Sequence, residues 1–240
     1  MTDWVALGRA GEVVRAALVR GGAVTARAEG ADEAAALAGL GTRPDTVIRI
    51  GEGRPAALPA PVLPESGFAL PGFTQDDPPD VIGAWVRLWI AGFVARHSHW
   101  DGVICARDGG ISHWLRVSAD EAVSAQSFLS LELAQTLGGA AKPDMQAVAD
   151  SLSRPERLAA HLRAAQVAGD AAAITGHLIG AELAAARVYW LGQRVAVLDT
   201  APAPHAAALA AQGVPCECHD PEVLIAPGLV ALGRALKLEG

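Results

Sequence analysis

Short hydrophobic runs separated by turn residues fill the first fifty positions. They predict three strands, at Trp4–Gly8, Glu12–Val19 and Ala23–Ala28, with a tight turn at Gly21-Gly22 between the last two. Ala31–Leu40 is rich in helix-forming residues and is followed by Gly41, which predicts a helix with a glycine stop. Thr46–Ile50 alternates between polar and apolar residues, as a half-buried strand does. The predicted order is β-β-β-α-β.

Residues 51–80 break this pattern because seven prolines punctuate them. Proline removes a backbone donor, so we expect a connecting segment with short edge strands at most. Asp80 is then predicted to be the N-cap of a helix over Val81–Ala95. The hydrophobic residues of that helix run almost all round it, which predicts burial between layers.

The first pattern then recurs. Further strands are predicted at Gly102–Ala106, Ile111–Ser118, Ala122–Ala125, Arg194–Leu198 and Val214–Cys218. Helices are predicted at Phe128–Leu137, Pro155–Val167, Ala171–Leu191, Pro204–Ala211 and Pro221–Leu236, the second capped by Ser153. The pattern therefore predicts an α/β protein with two similar β-β-β-α-β halves around a cleft, which is the plan of the actin-like ATPase (ribonuclease-H-like) fold. The predicted domains are 1–80, which includes the shortened Pro-rich connector, and 81–240.

Composition narrows the classes of function. The chain has 240 residues and a formal net charge of −7, and no run of Lys or Arg offers a surface for nucleic acid. No secretory signal opens the sequence, and its most apolar stretch, Val81–Ala95, is shorter than a membrane span. Cys105, Cys216 and Cys218 do not form a disulfide framework. We therefore expect a cytoplasmic protein without nucleic-acid or membrane partners, and the composition leaves a homo-oligomer open.

An ordered series of segments resembles a known family. It includes Gln75-Asp76-Asp77-Pro78-Pro79-Asp80-Val81, Ile90-Ala91-Gly92-Phe93, Trp100-Asp101-Gly102-Val103-Ile104-Cys105 and Leu178-Ile179-Gly180-Ala181-Glu182, within residues 4–20 and 66–236. In this series the chain resembles the 2-dehydro-3-deoxygalactonokinases, sugar-acid kinases of the actin-like ATPase superfamily. The resemblance implies a sugar acid as small-molecule partner, ATP and Mg²⁺ as cofactors, and phosphorylation of 2-dehydro-3-deoxy-D-galactonate.

The chain departs from the family's pattern at the phosphate-handling segments. Gly8 stands where the family has an Asp, and Arg9–Glu12 lies over the family's hydroxyl-bearing phosphate loop. Gly83–Arg87 aligns with an Arg-Gly-Glu-Glu-Thr run of the family but contains no carboxylate. Asp199–Pro202 aligns with the glycine- and serine-containing loop that follows a late strand in the family. We expect Glu12 and Asp199 to repel a triphosphate. Two functions therefore stay open: a sugar-acid kinase with eroded phosphate-binding motifs, or an inactive paralogue that binds a sugar acid or regulates a partner protein.

Five residues are candidates for the site. Asp108 and Glu132 are the candidate catalytic carboxylates, and Gly109, Gly110 and Thr200 are candidates for binding the nucleotide. Asp108-Gly109-Gly110 is also typical of an ordinary hairpin turn. Glu132 could equally be a solvated helix residue or a cap partner, and Glu182 fits a helix–helix contact better than a ligand contact.

Cys216-Glu217-Cys218-His219 has a spacing that invites comparison with metal sites. Zinc usually binds two separated ligand pairs with two or more residues between the cysteines. Alternation along a strand explains the spacing better, with both cysteines on one face. We predict neither a metal site nor a disulfide here.

Overall fold

The computed structural model describes residues 3–42 and 44–238. Contacts divide the chain into a first unit, Met1–Trp100 with Ala119–Ala122 and Pro221–Gly240, and a second unit, Asp101–Ser118 with Val123–Asp220. This grouping places the helix that follows residue 80 with the first unit. The domain boundary at residue 80 stays a prediction.

The first unit opens with strands β1 (Trp4–Ala10), β2 (Val13–Arg20) and β3 (Ala23–Gly30), helix α1 (Glu33–Gly39) and strand β4 (Thr46–Ile50). The proline-rich segment adds β5 (Ala56–Ala57), β6 (Ala60–Pro61), β7 (Ala69–Leu70), β8 (Phe73–Asp76) and β9 (Pro79–Ile82), before helix α2 (Ala84–Arg96). The main sheet has the order β3-β2-β1-β4-β7, with β1 antiparallel to β2 and parallel to β4. The predicted β-β-β-α-β order is confirmed for this unit.

The second unit contains strands β10 (Gly102–Asp108), β11 (Ile111–Ser118) and β12 (Glu121–Phe128), and helices α3 (Ser130–Thr136) and α4 (Met145–Ser153). A 3₁₀ turn at Pro155–Arg157 leads into α5 (Leu158–Ala168), α6 (Ala171–Ala185) and α7 (Arg187–Trp190). Strand β13 (Val195–Leu198), helix α8 (Pro204–Ala211) and strand β14 (Cys216–His219) follow, and α9 (Pro221–Ala235) belongs to the first unit.

The two units repeat one strand arrangement. The order β12-β11-β10-β13-β14 in the second matches β3-β2-β1-β4-β7 in the first. In both, the first strand pairs antiparallel with the second and parallel with the strand that follows the helical crossover. A hairpin suffices for the antiparallel pairs, whereas the parallel pair requires a longer connection. The prediction of two similar halves is confirmed.

Asp80 does not cap α2, which corrects the sequence prediction. It lies in β9 opposite Gln75 of β8, and its Oδ1 accepts a hydrogen bond from the Val81 N–H at 2.8 Å. The β8–β9 hairpin extends to Ile82, so the helix begins only at Ala84, after Gly83. The predicted burial of the helix is confirmed, because most of its residues, from Ala84 to Val94, are buried.

Arg87 is a buried cation inside α2. Its guanidinium donates to the carbonyl oxygens of Val62, Pro61 and Pro71 at 2.8, 2.9 and 3.0 Å. It also lies over the Phe73 ring, 4.3 Å from the centroid. Burial lowers the pKa of Arg87 to about 10, which leaves it charged at neutral pH. Arg87 therefore fixes the proline-rich segment, whose carbonyls have few backbone donors of their own.

The core of the second unit forms around Trp114, Val103, Ile179 and Val148, between the sheet and helices α4 and α6. The sequence analysis missed α4, whose N-cap is Asp144, the acceptor of a 2.9 Å hydrogen bond from the Ala147 N–H. Ser153 is the last residue of α4 and caps nothing, so that prediction was wrong. Within the described parts of the chain, no helix has the length and apolar character needed to cross a membrane.

Candidate active site

A cavity of about 380 Å³ opens in the second unit beside the ends of β10 and β13. The β10–β11 hairpin contributes Gly109 and Gly110, and the loop after β13 contributes Ala201 and Pro202. Arg107, at the end of β10, is the one positively charged residue among those that line it. Small residues on three sides leave backbone exposed to the cavity, which suits a ligand that is held by amide N–H groups.

The two hairpin glycines are required for different reasons. Gly109 has a φ of +61°, and a β-carbon there would meet no atom within 4 Å. Gly110 has no room for a β-carbon, which would lie 2.7 Å from Cβ of Glu132. The Glu132 N–H donates to the Gly110 carbonyl at 2.9 Å. Helix α3 is therefore docked directly on the hairpin.

The five predicted site residues lie in or next to this cavity. Gly109 and Gly110 line it, whereas Asp108, Glu132 and Thr200 each adjoin a lining residue along the chain. All three of these side chains are exposed. Asp108 and Glu132 flank the same glycine pair, so the fold brings the two candidate carboxylates to one place. Their catalytic roles stay predictions.

Asp199 and Arg107 form an ion pair beside the cavity. Oδ1 of Asp199 lies 3.3 Å from an Arg107 guanidinium nitrogen and accepts the Thr200 N–H at 2.7 Å. The Arg107 Nε donates to the Gly109 carbonyl at 3.1 Å, so one side chain links both loops. Burial raises the pKa of Asp199, although the Arg107 charge counteracts this. Because its charge is balanced by Arg107, Asp199 does not present the isolated negative charge that the sequence analysis expected.

Glu182 is the centre of a buried polar cluster beneath these loops. One carboxylate oxygen accepts hydrogen bonds from Ser112 Oγ at 2.7 Å and Trp114 Nε1 at 2.8 Å, and lies 2.8 Å from His205 Nε2. Glu182 therefore connects α6 to β11 and α8, and the expected helix–helix contact describes only part of its role.

The electrostatics of this cluster favour a charged pair. Burial alone would raise the pKa of Glu182, but the charge and hydrogen bond of His205 and the nearby hydroxyls bring that pKa below its usual value. Burial likewise lowers the pKa of His205, and the Glu182 carboxylate more than reverses this. The sequence analysis missed His205 and Arg107. The one feature of the sequence that pointed to these partners was Glu182 itself, because a carboxylate buried in an apolar helix requires a partner.

The β1–β2 hairpin of the first unit differs from a phosphate-binding loop. Its turn consists of Gly11 and Glu12 alone, between the paired residues Ala10 and Val13, and residues 3–24 include no Ser or Thr. At Gly8, an added β-carbon would collide with the carbonyl oxygen of Ile50 on the neighbouring strand. No side chain fits at this position.

The cysteine segment forms a strand, as predicted, and this strand lies at the edge of its sheet. Cys216 and Cys218 lie on β14, which pairs with β13, and both are free thiols. Their sulfurs lie 3.8 and 3.9 Å from the carbonyl oxygens of Ala206 and Asp199. The prediction that they bind no metal stays a prediction.

Comparison with known proteins identifies the family. A family model described as 2-keto-3-deoxy-galactonokinase matches residues 54–232, which is most of the chain. The chain belongs to the 2-keto-3-deoxy-galactonokinase family. The match includes the cavity-forming loops at 107–110 and 199–204 but not β1 or β2. A search of curated proteins finds no match.

Solved structures confirm the fold of this 2-keto-3-deoxy-galactonokinase family member. A Sinorhizobium meliloti protein, provisionally named a 2-dehydro-3-deoxygalactonokinase, has a TM-score of 0.78 at 22% identity, with 98% of this chain and 99% of that chain covered. Component A of (R)-2-hydroxyglutaryl-CoA dehydratase from Acidaminococcus fermentans has a TM-score of 0.52 at 10% identity, with 98% and 99% covered. The fold is that of the actin-like ATPases, as the sequence predicted.

Proposed function

We propose that this chain is a divergent sugar-acid kinase that phosphorylates 2-dehydro-3-deoxy-D-galactonate with ATP only slowly. The supporting observation is the backbone at Gly8, which packs against the Ile50 carbonyl and leaves no space for a side chain. The family pattern has an Asp at this position. Losing a carboxylate that binds metal or moves a proton typically lowers a rate by ~10²–10⁴.

We place the nucleotide in the second-unit cavity. Phosphoryl transfer requires mainly positioning and neutralisation of charge. Arg107, although it pairs with Asp199, offers guanidinium N–H donors at the cavity, and the open space beside Gly109 allows a phosphate to approach the hairpin backbone. Asp108, exposed at the end of β10, is the candidate to hold Mg²⁺ through its carboxylate, and Glu132 is the candidate base. Mg²⁺ supplies neutralisation of the phosphate charge when bound.

The second candidate function is that of a sugar-acid-binding or regulatory paralogue without turnover. Glu12, exposed at the tip of the β1–β2 hairpin, supports it, because this hairpin offers neither hydroxyls nor positive charge from its own turn. A fixed carboxylate near a triphosphate costs on the order of 1–4 kcal/mol without an intervening metal.

Isothermal titration with Mg-ATP and a coupled ADP-release assay with 2-dehydro-3-deoxy-D-galactonate test the proposal. We expect weak ATP binding and a turnover well below about 1 per second, the lower end of the ordinary range for kinases. Thermal unfolding with and without Mg-ATP provides a matched comparison of two variants. Arg107→Gln should reduce the stabilisation by Mg-ATP, whereas Arg96→Gln, which replaces an exposed arginine of α2, should leave it unchanged. Turnover in the ordinary range would refute slow catalysis. Binding of the sugar acid with no ADP release at all would favour the paralogue.

A further inference from the structure

A second polar cavity, of about 350 Å³, lies in the second unit where α4 ends and α5 begins. It is lined by Asp150, Ser153, Arg154, Arg157 and His161. None of these residues lines the candidate active site. Its volume lies within the range typical of small-molecule sites, about 300–1,000 Å³.

Two arginines share one side of this cavity. Arg154 precedes the 3₁₀ turn and Arg157 is its last residue, and the Arg157 N–H donates to the Arg154 carbonyl at 3.0 Å. Both are exposed, and within the described part of the chain neither guanidinium forms an ion pair or a hydrogen bond. Two positive charges thus line the cavity without an ion pair to a described residue.

A buried hydrogen-bond chain fixes His161 at the cavity wall. The Ser151 hydroxyl lies 3.1 Å from Nδ1 of His161 and 2.9 Å from Nδ1 of His177, and both Ser151 and His177 are buried. A hydroxyl has a single proton, so it donates to one ring and accepts from the other. Because Nδ1 of His161 is hydrogen-bonded to the buried Ser151, Nε2 is the ring nitrogen that remains for a ligand in the cavity.

The charge balance of the lining favours an anion. Asp150 is its one carboxylate, and its Oδ1 already accepts a 2.9 Å hydrogen bond from Gln146. Glu156 belongs to the same 3₁₀ turn but does not line the cavity. In a chain of net charge −7, a cavity with two unpaired guanidiniums is therefore a local exception.

We propose that this cavity binds a small phosphorylated metabolite through its phosphoryl oxygens. Guanidinium groups match phosphate geometry with paired N–H donors, and two of them balance a charge near −2. Ser153 supplies an additional donor to the remaining oxygens, and Nε2–H of His161 supplies another when the Ser151 hydroxyl donates to Nδ1 of that ring. The cavity volume leaves space for an organic part beyond the phosphoryl group.

Calorimetric titration of the full chain with inorganic phosphate, glucose 6-phosphate and glucose tests this site. We expect binding of the two phosphoryl probes and none of glucose. The double variant Arg154→Gln/Arg157→Gln should weaken binding at least about tenfold. Arg163→Gln, which removes an exposed arginine of α5 that does not line the cavity, should leave binding unchanged. Both mutated arginines are exposed, so the variants are expected to fold, and circular dichroism checks this.

The two phosphoryl probes also distinguish the source of the ligand. Tighter binding of glucose 6-phosphate than of inorganic phosphate supports a phosphorylated metabolite, whereas equal affinity identifies free phosphate and overturns that part of the proposal. Absence of binding by both probes overturns the whole site. So does an affinity that the double variant leaves unaltered, because the phosphate would then bind elsewhere.

Discussion

At the residue scale, glycines determine where chain segments can approach each other. Gly110 allows Glu132 of α3 to lie against the β10–β11 hairpin, and Gly8 allows β1 to lie against Ile50 of β4. In each case a β-carbon would collide with backbone or with the first side-chain atom of the neighbour. Neither glycine needs a positive φ, so the requirement comes from space rather than from conformation.

We expect an Asp at Gly8, the position where the sequence resemblance implies a carboxylate, to be poorly tolerated by the fold. We expect Gly8→Asp to destabilise the protein by about 1–3 kcal/mol, because the new side chain must displace β4. Gly11→Asp, in the same hairpin, should cost less than about 1 kcal/mol, because its surroundings are open and Asp tolerates a positive φ. Urea unfolding of both variants measures the difference. Equal stability of Gly8→Asp and the parent chain would show that β1 and β4 separate easily.

At the element scale, α2 stabilises a segment that has little regular structure. The proline-rich residues form strands of only two to four residues, and Arg87 of α2 supplies donors to their carbonyls. A lone charge buried without a carboxylate is normally costly. Here the cost is offset because several carbonyl oxygens surround the guanidinium.

Arg87→Met should destabilise the chain by about 2–4 kcal/mol, because it leaves buried carbonyls without donors. Arg87→Lys should recover little, since one ammonium cannot reproduce the planar set of donors. Arg96→Met, an exposed substitution in the last turn of the same helix, should stay within about 0.5 kcal/mol. Denaturant midpoints of the three variants provide the comparison. Full recovery by lysine would mean that charge alone matters at this position.

At the scale of the whole molecule, one sheet order is used twice. In the second unit, a cavity beside the β10–β11 hairpin is lined by that hairpin's glycines and by Arg107. The buried Glu182–His205 pair supports that cavity from below. His205 also interacts with Asp199 and Arg107, so the charges alternate from the cavity edge to the core. Stability of the whole chain should therefore depend on the protonation of His205.

The pKa of His205 is raised by folding, so its contribution is fully present below its unfolded value near ~6.5 and is lost as pH rises through the folded value. We expect the free energy of unfolding to fall as the pH rises from about 6.5 to alkaline values. Folding lowers the pKa of Glu182, so the contribution of its carboxylate stays present at these pH values. Thermal unfolding of His205→Gln should show a weaker pH dependence, whereas His99→Asn, at an exposed histidine, should behave like the parent. A parent whose stability does not change between these pH values would contradict a charged pair.

The sequence by itself determined the architecture. Alternating and glycine-bounded runs placed β1 to β4, β10, β11 and α8 close to their observed limits, because strand period and turn chemistry are local properties. The sequence also placed Asp108, Glu132, Gly109, Gly110 and Thr200 in one region, since hairpins and parallel crossovers bring strand ends together. Asp80 and Ser153 were misassigned because hairpin pairing and an unrecognised helix overrode their capping preference.

Only the tertiary structure decided which side chains interact. The pairing of Arg107 with Asp199, of His205 with Glu182, and of Arg87 with three carbonyl oxygens joins residues distant in sequence, and no local pattern specifies such partners. The same holds for Gly8, where the absence of space depends on how closely β4 approaches. The distances between side chains and their burial are properties of the folded chain, and these two properties decide which polar residues interact in one site.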